Sequence, residues 1–373
     1  MKNWKILSLI LFVLAGACAL NPKQSTESYR FLASSAVERT YTAKTSIEQV
    51  HPSSTSEEVV RIKNAKIVLV DYDLVRKDFP AMVNKSNDDI DRWILDQVAF
   101  ISKPQAAQTV VNSPIEVAEE FRQAWRPPEY GRALVYDMVH PDTGEKLGLM
   151  DAKGVGSLRP GQVDHGNGIA TLGEAIREYL YEGMMRNVLN DADVPNQIVG
   201  SYAVIDAGFD LKHADGSTSP AGFYLRQAHD RVTNPGAWLD ETQRMKLQKI
   251  FHRYGIDPNR NIQGTKNGAI FDFGHYIVRD DLEGIDPTKQ VPFDRWGYDK
   301  SIRPSGGDTR WFYSKVDHPW NWSHELADNF RKGHANRDAA WQHFVNLVQP
   351  VRERLSQNPG NGCVDNVTSI ISH

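Results

Sequence analysis

The sequence predicts a mixed α+β protein of two lobes, in which a β-rich first lobe with one key helix precedes an α-rich second lobe. Three observations support this class. Short strand-like segments cluster between residues 59 and 232, a single long helical pattern at Leu172–Leu189 interrupts them, and helical spacing dominates residues 233–373. With 373 residues, of which 40% are hydrophobic and 24% charged, the chain can bury a large core. Two lobes leave a cleft between them, where ligands commonly bind.

The N-terminus resembles a secretory signal. Two lysines precede an apolar run from Ile6 to Leu20 that ends in small residues. The run is too short for a membrane span, which needs about 20 apolar residues. We therefore expect residues 1–19 to be a signal peptide of an exported protein, either periplasmic or secreted. Cys18 stands where a lipoprotein signal carries its acylated cysteine, but Ala15 replaces the larger aliphatic residue usual three positions earlier, so membrane attachment through a lipid is disfavoured.

The first elements follow a polar leader. Residues 20–58 are rich in Ser, Thr, Glu and Gln and lack apolar periodicity, so we expect them to be flexible and the fold to begin near Val59. The β-branched segment Ala65–Val70 predicts a strand. Apolar residues at helical spacing predict a helix at Asp88–Ile101, and a second helix is expected at Pro114–Trp125 after a serine cap.

A hairpin and the key helix come next. The strand-like segments Gly131–Val139 and Lys146–Ala152 flank HPDTG, whose proline, aspartate and glycine favour a turn. The helix Leu172–Leu189 carries one apolar stripe, with Glu178 to one side of it. This position allows the Glu178 carboxylate to reach the edge of a cleft.

The remaining elements change from strands to helices. Ile198–Ile205 and Gly222–Ala228 predict a hairpin with a long polar loop. A helix from Leu239 to Tyr254 ends at a glycine, which is typical of helix C-termini. Further helices are expected between Trp322 and Leu355.

The stretch around the key helix has the composition of a phosphate-binding device. Lys153 ends a strand and is followed by a glycine-rich loop that includes Asn167 and Gly168, and then by the helix with Glu178. Glycines let backbone N–H groups approach an anion, the lysine supplies a positive charge, and the glutamate can hold that lysine in place. The simpler alternative is a turn-rich connection with an exposed lysine.

Glu178 also has a simpler alternative. Glutamates on helices commonly pair with a nearby arginine, and Arg177 and Arg186 lie on the same helix. Its assignment as the partner of Lys153 therefore depends on the residues that follow in the chain.

A second polar constellation lies about a hundred residues later. Asp257 and Asn261 lie in a polar loop, and a hydrophobic hairpin then ends in Asp272, Phe273 and Gly274. Phosphoryl-transfer sites use an aspartate to position or deprotonate a hydroxyl, and an asparagine with a second aspartate to hold a divalent metal. The order of lysine, helical glutamate, polar loop and Asp-Phe-Gly is that of a bilobal protein-kinase-like fold.

The details differ from ordinary kinases. No GxGxxG precedes Lys153, and the nearest match to HRD, His252-Arg253, is followed by Tyr254. The segments GRALVYDM, DAKGVG, HGNGIATLGEAIREYLYEGMM and FYLRQAHDR instead resemble the selenoprotein O family of kinase-fold proteins, over about residues 130–280. This resemblance implies transfer of AMP from ATP, with Mg²⁺, to the Ser, Thr or Tyr hydroxyls of a protein substrate.

The resemblance also assigns roles to residues. Those matched to nucleotide-binding positions are Gly131, Arg132, Lys153, Asn167, Gly168, Glu178, Arg226 and Arg231. Asn261 and Asp272 match the metal-binding pair. Asp257, four residues before Asn261, takes the role of catalytic aspartate because Arg260 stands directly before Asn261.

Two other functions stay open. The same residues would serve a kinase that transfers the γ-phosphate. A secreted, catalytically inactive pseudokinase that acts as an interaction module is favoured by Arg260, by Glu129 in place of a family glycine, and by the scarcity of ATP outside the cytoplasm. A net charge of −4 argues against broad nucleic-acid binding.

Overall fold

The computed structural model describes residues 40–106, 115–128, 130–157, 168–212, 218–230, 241–258, 261–278 and 321–336. They form a mixed α+β unit around a nine-stranded sheet in which all strand pairs are antiparallel. The expected signal at 1–19, including Cys18, lies outside these ranges, as does the expected lobe boundary at 232/233. Within these ranges, no helix has the length and apolar character needed to cross a bilayer.

The strands fall into one large sheet and two small ladders. Their bounds are β1 Thr55–Ile62, β2 Lys66–Val70, β3 Phe100–Ser102, β4 Val117–Arg126, β5 Ala133–Val139, β6 Lys146–Lys153, β7 Ala170–Thr171, β8 Ser201–Lys212, β9 Thr218–Gln227, β10 Ile256–Asp257, β11 Gln263–Gly264, β12 Ile270–Phe271 and β13 Ile277–Val278. The large sheet has the order β2-β8-β9-β6-β5-β4-β1-β3, with β7 beside β9. β10 pairs with β13, and β11 pairs with β12.

Helices cover both faces of the sheet. The helices of the described ranges are α1 Ile47–Val50, α2 Tyr72–Asp78, α3 Asn87–Val98, α4 Lys103–Ala106, α5 Leu172–Asp191, α6 Glu241–Arg253 and α7 Asn321–Arg331. Neighbouring residues of a strand point to opposite faces. Val204 of β8 and Tyr224 of β9 accordingly pack with α5, whereas Ile205 and Phe223 pack with α2 and α3. α5 therefore lies between the sheet and the later elements α6 and α7, and almost all of its residues are buried.

One helix prediction was wrong, and a second helix is present but ends three residues before its predicted C-terminus. Of the segment 114–125, expected to be helical, residues 117–125 lie instead in β4, which pairs with β1 from Thr55↔Arg126 to Ile62↔Val117. The helix that begins at Asn87 stops at Val98, and Ile101 belongs to β3 on the other edge of β1. In both cases, pairing with β1 overrides local helix propensity.

The fold begins earlier than Val59. Part of the expected leader, residues 40–58, contains α1 and the start of β1. The Tyr41 hydroxyl donates to Asp230 Oδ1 (2.6 Å), and its N–H donates to the Ile198 carbonyl (2.8 Å). Residues 40–58 are thus part of the folded unit, because their few apolar side chains are used in packing although they show no periodicity.

The hairpins and the later helices follow the predictions more closely. β5 and β6 form the hairpin expected around HPDTG. β8 and β9 also pair, but they extend into the segment that was predicted to be a long loop. α6 ends at Arg253, and the expected glycine, Gly255, follows it with a left-handed φ of 71°. α7 lies at the start of the predicted helical region 322–355, and the rest of that region is outside the described residues.

Candidate functional site

Lys153 joins two carboxylates from distant parts of the chain. Its Nζ donates to both oxygens of Glu178, at 2.8 and 2.9 Å, and to Oδ1 of Asp272 at 2.7 Å. The side chains of Lys153, Glu178 and Asp272 are 13%, 1% and 21% exposed. The structure therefore brings the lysine, the helical glutamate and the Asp-Phe-Gly aspartate of the sequence prediction into one contact.

The strands and α5 set this geometry. Lys153 ends β6 opposite Tyr224 of β9, whose side chain packs on the α5 face of the sheet. The Thr171 hydroxyl caps α5 by accepting from the Glu174 N–H (3.1 Å), and this cap fixes where the helix begins. Glu178 then lies about one turn further along α5, directly beside the end of β6.

Glu174 belongs to the same cluster, although sequence reasoning missed it. Its carboxylate accepts two hydrogen bonds from the Arg132 guanidinium, one of them at 3.1 Å, and its Oε1 lies 3.9 Å from Lys153 Nζ. Bidentate arginine–carboxylate pairs are strong and directional. Arg132, which was predicted to bind phosphate, is therefore held against α5, and Glu174 links it to Lys153. The signal in the sequence is weak, because Glu174 reads as an ordinary first-turn acid.

Asn261 and Asp272, the predicted metal-binding pair, are in contact. Asn261 Nδ2 donates to the Asp272 carbonyl at 3.0 Å and lies 3.4 Å from Oδ2, while its Oδ1 accepts from Gln263 Nε2 (3.0 Å). Asp272 is left-handed, with φ 71° and ψ 60°, a region that aspartate tolerates better than most residues. This conformation lets one residue face Lys153 with Oδ1 and Asn261 with its carbonyl.

The donor set fits Mg²⁺ with one change. Mg²⁺ commonly binds through one or two protein oxygens and keeps the rest of its shell for waters and phosphates. Asp272 supplies a carboxylate, but the amide nitrogen of Asn261, not its oxygen, faces that carboxylate. A half-turn of the Asn261 amide, matched by Gln263, would present the oxygen. In the described ranges, no group of three or more His, Cys, Asp or Glu residues could hold a metal by itself.

The cluster carries an excess of negative charge. Two cations, Arg132 and Lys153, face three carboxyl groups, Glu174, Glu178 and Asp272, which leaves one negative charge uncompensated. The pKa of Glu178 is raised to about 7, chiefly by burial and also by Asp272, and against the opposing effects of Lys153 and Arg226. Burial opposes the charge of Lys153, but Asp272 and Glu178 outweigh it and raise the pKa of the lysine. Lys153 therefore stays charged, and a bound cation would relieve the excess.

In the described part of the glycine loop, the amides of residues 154–157 are used by acceptors within the protein and not presented to an anion. The N–H groups of residues 154–157 all donate within the protein, to the Arg132 carbonyl (2.8 and 3.3 Å), the Gly168 carbonyl (2.9 Å) and Gln105 Oε1 (3.1 Å). The loop continues the sheet through a bridge that pairs Val155 with Ile169. The glycines, Gly168 among them, allow this close packing, because a Cβ on Gly168 would lie 2.4 Å from the Ser157 nitrogen.

Gly154→Ala is expected to destabilise the protein by about 2 kcal/mol. Gly154 has a φ of 89°, and an added Cβ would lie 2.6 Å from Ala170 Cβ and 2.9 Å from the Gly222 carbonyl oxygen. Gly131→Ala is the matched control, since nothing lies within 4 Å of its added Cβ. Urea unfolding should show a lower midpoint for the first variant only. Equal midpoints would contradict a packing role for Gly154.

Arg226 lies in the interior and not along an open phosphate path. It is 1% exposed, and its Nε lies 3.4 Å from Oδ1 of Asp151, its partner on the neighbouring strand β6. The guanidinium also contacts the rings of Tyr224 and Phe271, at 5.8 and 5.6 Å from their centroids. Within the described part of the chain, Nη1 makes no hydrogen bond, so this arginine retains a donor for an anion. The prediction that phosphates bind Arg226 therefore requires them to share it with Asp151.

The other predicted residues are placed only in part. Asn167 and Arg231 lie outside the described residues. Asp257 is in β10, where its backbone pairs with Ile277, and its side chain is also outside the described part. Gly131 is exposed just before β5. The structure thus groups Arg132, Lys153, Glu178, Asn261 and Asp272.

The arginines of α5 do not pair with Glu178. Arg177 Nε donates to the Gly274 carbonyl at 2.8 Å, and its Nη2 donates to the Tyr276 carbonyl. Arg186 instead pairs with Glu182, one turn before it (2.6 Å). The simpler alternative for Glu178 is therefore wrong. Sequence reasoning missed the role of Arg177, because helical spacing alone does not show that its face meets the chain after β12.

The comparisons with known proteins identify no family. No protein-family model and no curated protein matches the chain. Any proposal about function must therefore rest on the residues and on the geometry described above.

Proposed function

We propose that the chain is a nucleotide-dependent transferase with a bilobal kinase-like fold, which transfers AMP from ATP to Ser, Thr or Tyr hydroxyls of a protein. In this proposal it is a divergent, exported relative of the selenoprotein O family. The main support is the contact of Lys153 with Glu178 and Asp272, residues 25 and 119 positions away in the chain. A largely buried lysine between two carboxylates is a costly arrangement, and perturbed charged groups of this kind cluster at functional sites.

The residues divide into holding and reacting groups. Glu178 holds Lys153, whose side chain is 13% exposed and whose ammonium can shift from Asp272 onto a phosphate. Arg132 is fixed through Glu174 and adds positive charge beside the lysine. Preorganised cations of this kind stabilise the charge that develops on transferred and leaving phosphate groups.

Asp272 and Asn261 would hold Mg²⁺, which neutralises phosphate charge when bound. The excess negative charge of the cluster favours a cation at this point. A cation on Asp272 would also weaken the contact of that carboxylate with Lys153. The lysine then keeps Glu178 as its partner and becomes available to the nucleotide.

The proposed reaction balances as a displacement at the α-phosphorus. A protein hydroxyl oxygen forms a bond to this phosphorus, the bond to the bridging oxygen breaks, and pyrophosphate leaves. Asp257, at the end of β10, takes the hydroxyl proton in this proposal. The geometry of the described residues serves γ-phosphate transfer equally well, so the orientation of the nucleotide decides between the two reactions.

A binding module is the second candidate, and two observations favour it. The loop amides at 154–157 are already used by protein acceptors, and Arg226 is already paired with Asp151. Fewer groups are therefore free to bind phosphates than the sequence predicts. In a secreted pseudokinase, the Lys153 cluster would serve only to hold β6, α5 and the chain after β12 together.

Incubation with Mg²⁺ and ATP labelled at the α- or the γ-phosphate separates these functions. We expect the α-label to enter the protein itself or an added protein substrate, and we expect Asp272→Ala to abolish this transfer. Transfer of the γ-label alone would identify a kinase. The absence of both labels, with no thermal shift on addition of ATP and Mg²⁺, would contradict the proposal and favour the binding module.

A further inference from the structure

The chain that follows Asp272 forms a tight turn against the core. A short 3₁₀ turn, Phe273–His275, follows the left-handed aspartate. The rings of Phe273 and Tyr276 pack edge to face at 5.2 Å, and both belong to the core around α5. The position of Asp272 thus depends on how this turn is attached to α5.

One buried arginine makes that attachment. Arg177 is 0% exposed, and its guanidinium donates to the carbonyl oxygens of Gly274 and Tyr276, on either side of the end of the turn. The guanidinium also stacks over the Tyr181 ring, 4.6 Å from its centroid, which fixes its direction from the other side. Two directed hydrogen bonds from one planar group restrain both the position and the orientation of the turn.

Arg177 and Glu178 are neighbours in sequence. One side chain acts on each partner of the Lys153–Asp272 ion pair. Glu178 accepts from Lys153, while Arg177 holds the turn that carries Asp272. The turn passes directly over Glu178, since a Cβ added to Gly274 would lie 3.5 Å from Glu178 Cγ. One dipeptide of α5 therefore sets both carboxylate partners of Lys153.

We propose that Arg177 is a positioning residue for Asp272, acting through the turn at 273–276. It holds the Asp272 carboxylate at the distance at which this group can pair with Lys153 and bind a metal together with Asn261. The catalytic consequence rests on the proposed function, whereas the effect on the turn does not. The opposing view is that Arg177 only satisfies buried carbonyl groups and stabilises the core, as any buried arginine would.

Arg186 provides the matched control. It is 2% exposed on the same helix, but it pairs with Glu182 and Asp71, away from the Asp272 turn. Arg177→Met and Arg186→Met each remove one buried guanidinium from α5 and should lower the melting temperature. Arg177→Lys, which keeps a charged donor, is the conservative variant to use if Arg177→Met does not fold.

Two measurements on these variants test the proposal. In hydrogen exchange, Arg177→Met should increase amide exchange at 270–278, while Arg186→Met should leave those amides near the wild-type rate. In α-label transfer, Arg177→Met should raise the Mg²⁺ concentration for half-maximal rate about tenfold, as loss of groups that support metal ligands does, with Arg177→Lys in between and Arg186→Met unchanged. Equal exchange at 270–278 in both methionine variants would overturn the positioning role. If the wild type transfers no label but the exchange difference is present, the positioning role stands and the transferase proposal fails.

Discussion

Lys153→Met is expected to lower the α-label transfer rate by about 1,000-fold, in line with the loss of a preorganised charge that stabilises a transition state. Lys153 is the only residue of the cluster that contacts both Glu178 and Asp272, among the pairs the structure describes. Without it, the phosphates lose their mobile cation and the two carboxylates repel each other. Single-turnover rates with α-labelled ATP at saturating Mg²⁺ would measure the loss.

The same variant should still fold. Removal of the lysine leaves three carboxyl groups beside Arg132, two of them buried. The pKa of Glu178 is already raised to about 7, chiefly by burial, so this carboxyl can take up a proton and relieve the repulsion. Lys146→Met is the control, because Lys146 begins the same strand and pairs with Asp137 at the surface. Retained transfer in Lys153→Met, or an equal loss in Lys146→Met, would contradict the assigned role.

The sequence predicts the pairing of Lys153 with Glu178 and places Asp272 in the same site, because each participant carries its own local signal. The ion pair of Lys153 with Asp272 was not predicted. A lysine at a strand end, a glutamate on a strongly patterned helix and an aspartate before Phe-Gly are recognisable separately. Their order along the chain then implies that they meet. The contact distances agree with that expectation, since Lys153 lies within 3 Å of both carboxylates.

Other features depend on the register of distant strands, and for this reason local patterns do not show them. Arg226 meets Asp151 because β9 pairs with β6 at that position. The segment 117–126 contains many good helix formers, yet it is a strand because β1 supplies the pairing partner. Arg177 reaches carbonyl oxygens, which have no side-chain signature in a sequence. Tertiary context decides all three.

Glu178→Gln is expected to stabilise the metal-free protein at pH 8 by about 3 kcal/mol, and to leave its stability at pH 5 close to that of the wild type. The carboxyl of Glu178 has a pKa of about 7 in the folded protein against an ordinary value of 4.5. The folded state therefore binds the proton more tightly than the unfolded chain does. The stability from this group is complete below the ordinary pKa and is lost as the pH rises towards 7. Glutamine does not titrate and keeps an oxygen that can accept from Lys153.

The difference in stability between the wild type and Glu178→Gln reports on Glu178 and not on the other titrating groups. Burial also raises the pKa values of Asp78 and Glu182, but both residues are present in both proteins and their effects cancel. Urea unfolding at pH 5 and pH 8, with a chelator present, would measure this difference in the free energy of unfolding. Glu174→Gln is the control, since it breaks the bidentate pair with Arg132 and should destabilise the protein at both pH values.

A Glu178→Gln variant that is no more stable than wild type at pH 8 would contradict the charge excess in the cluster. The expected gain in stability has a functional counterpart. Above its pKa of about 7, Glu178 adds a negative charge that the folded protein alone does not need, because Arg132 and Lys153 already balance Glu174 and Asp272. Such a charge is useful only when a further cation is bound, so the same substitution should weaken the dependence of the thermal shift on Mg²⁺ and ATP. If Glu178→Gln both raises the stability at pH 8 and reduces the thermal shift with Mg²⁺ and ATP, the destabilising charge of Glu178 serves ligand binding.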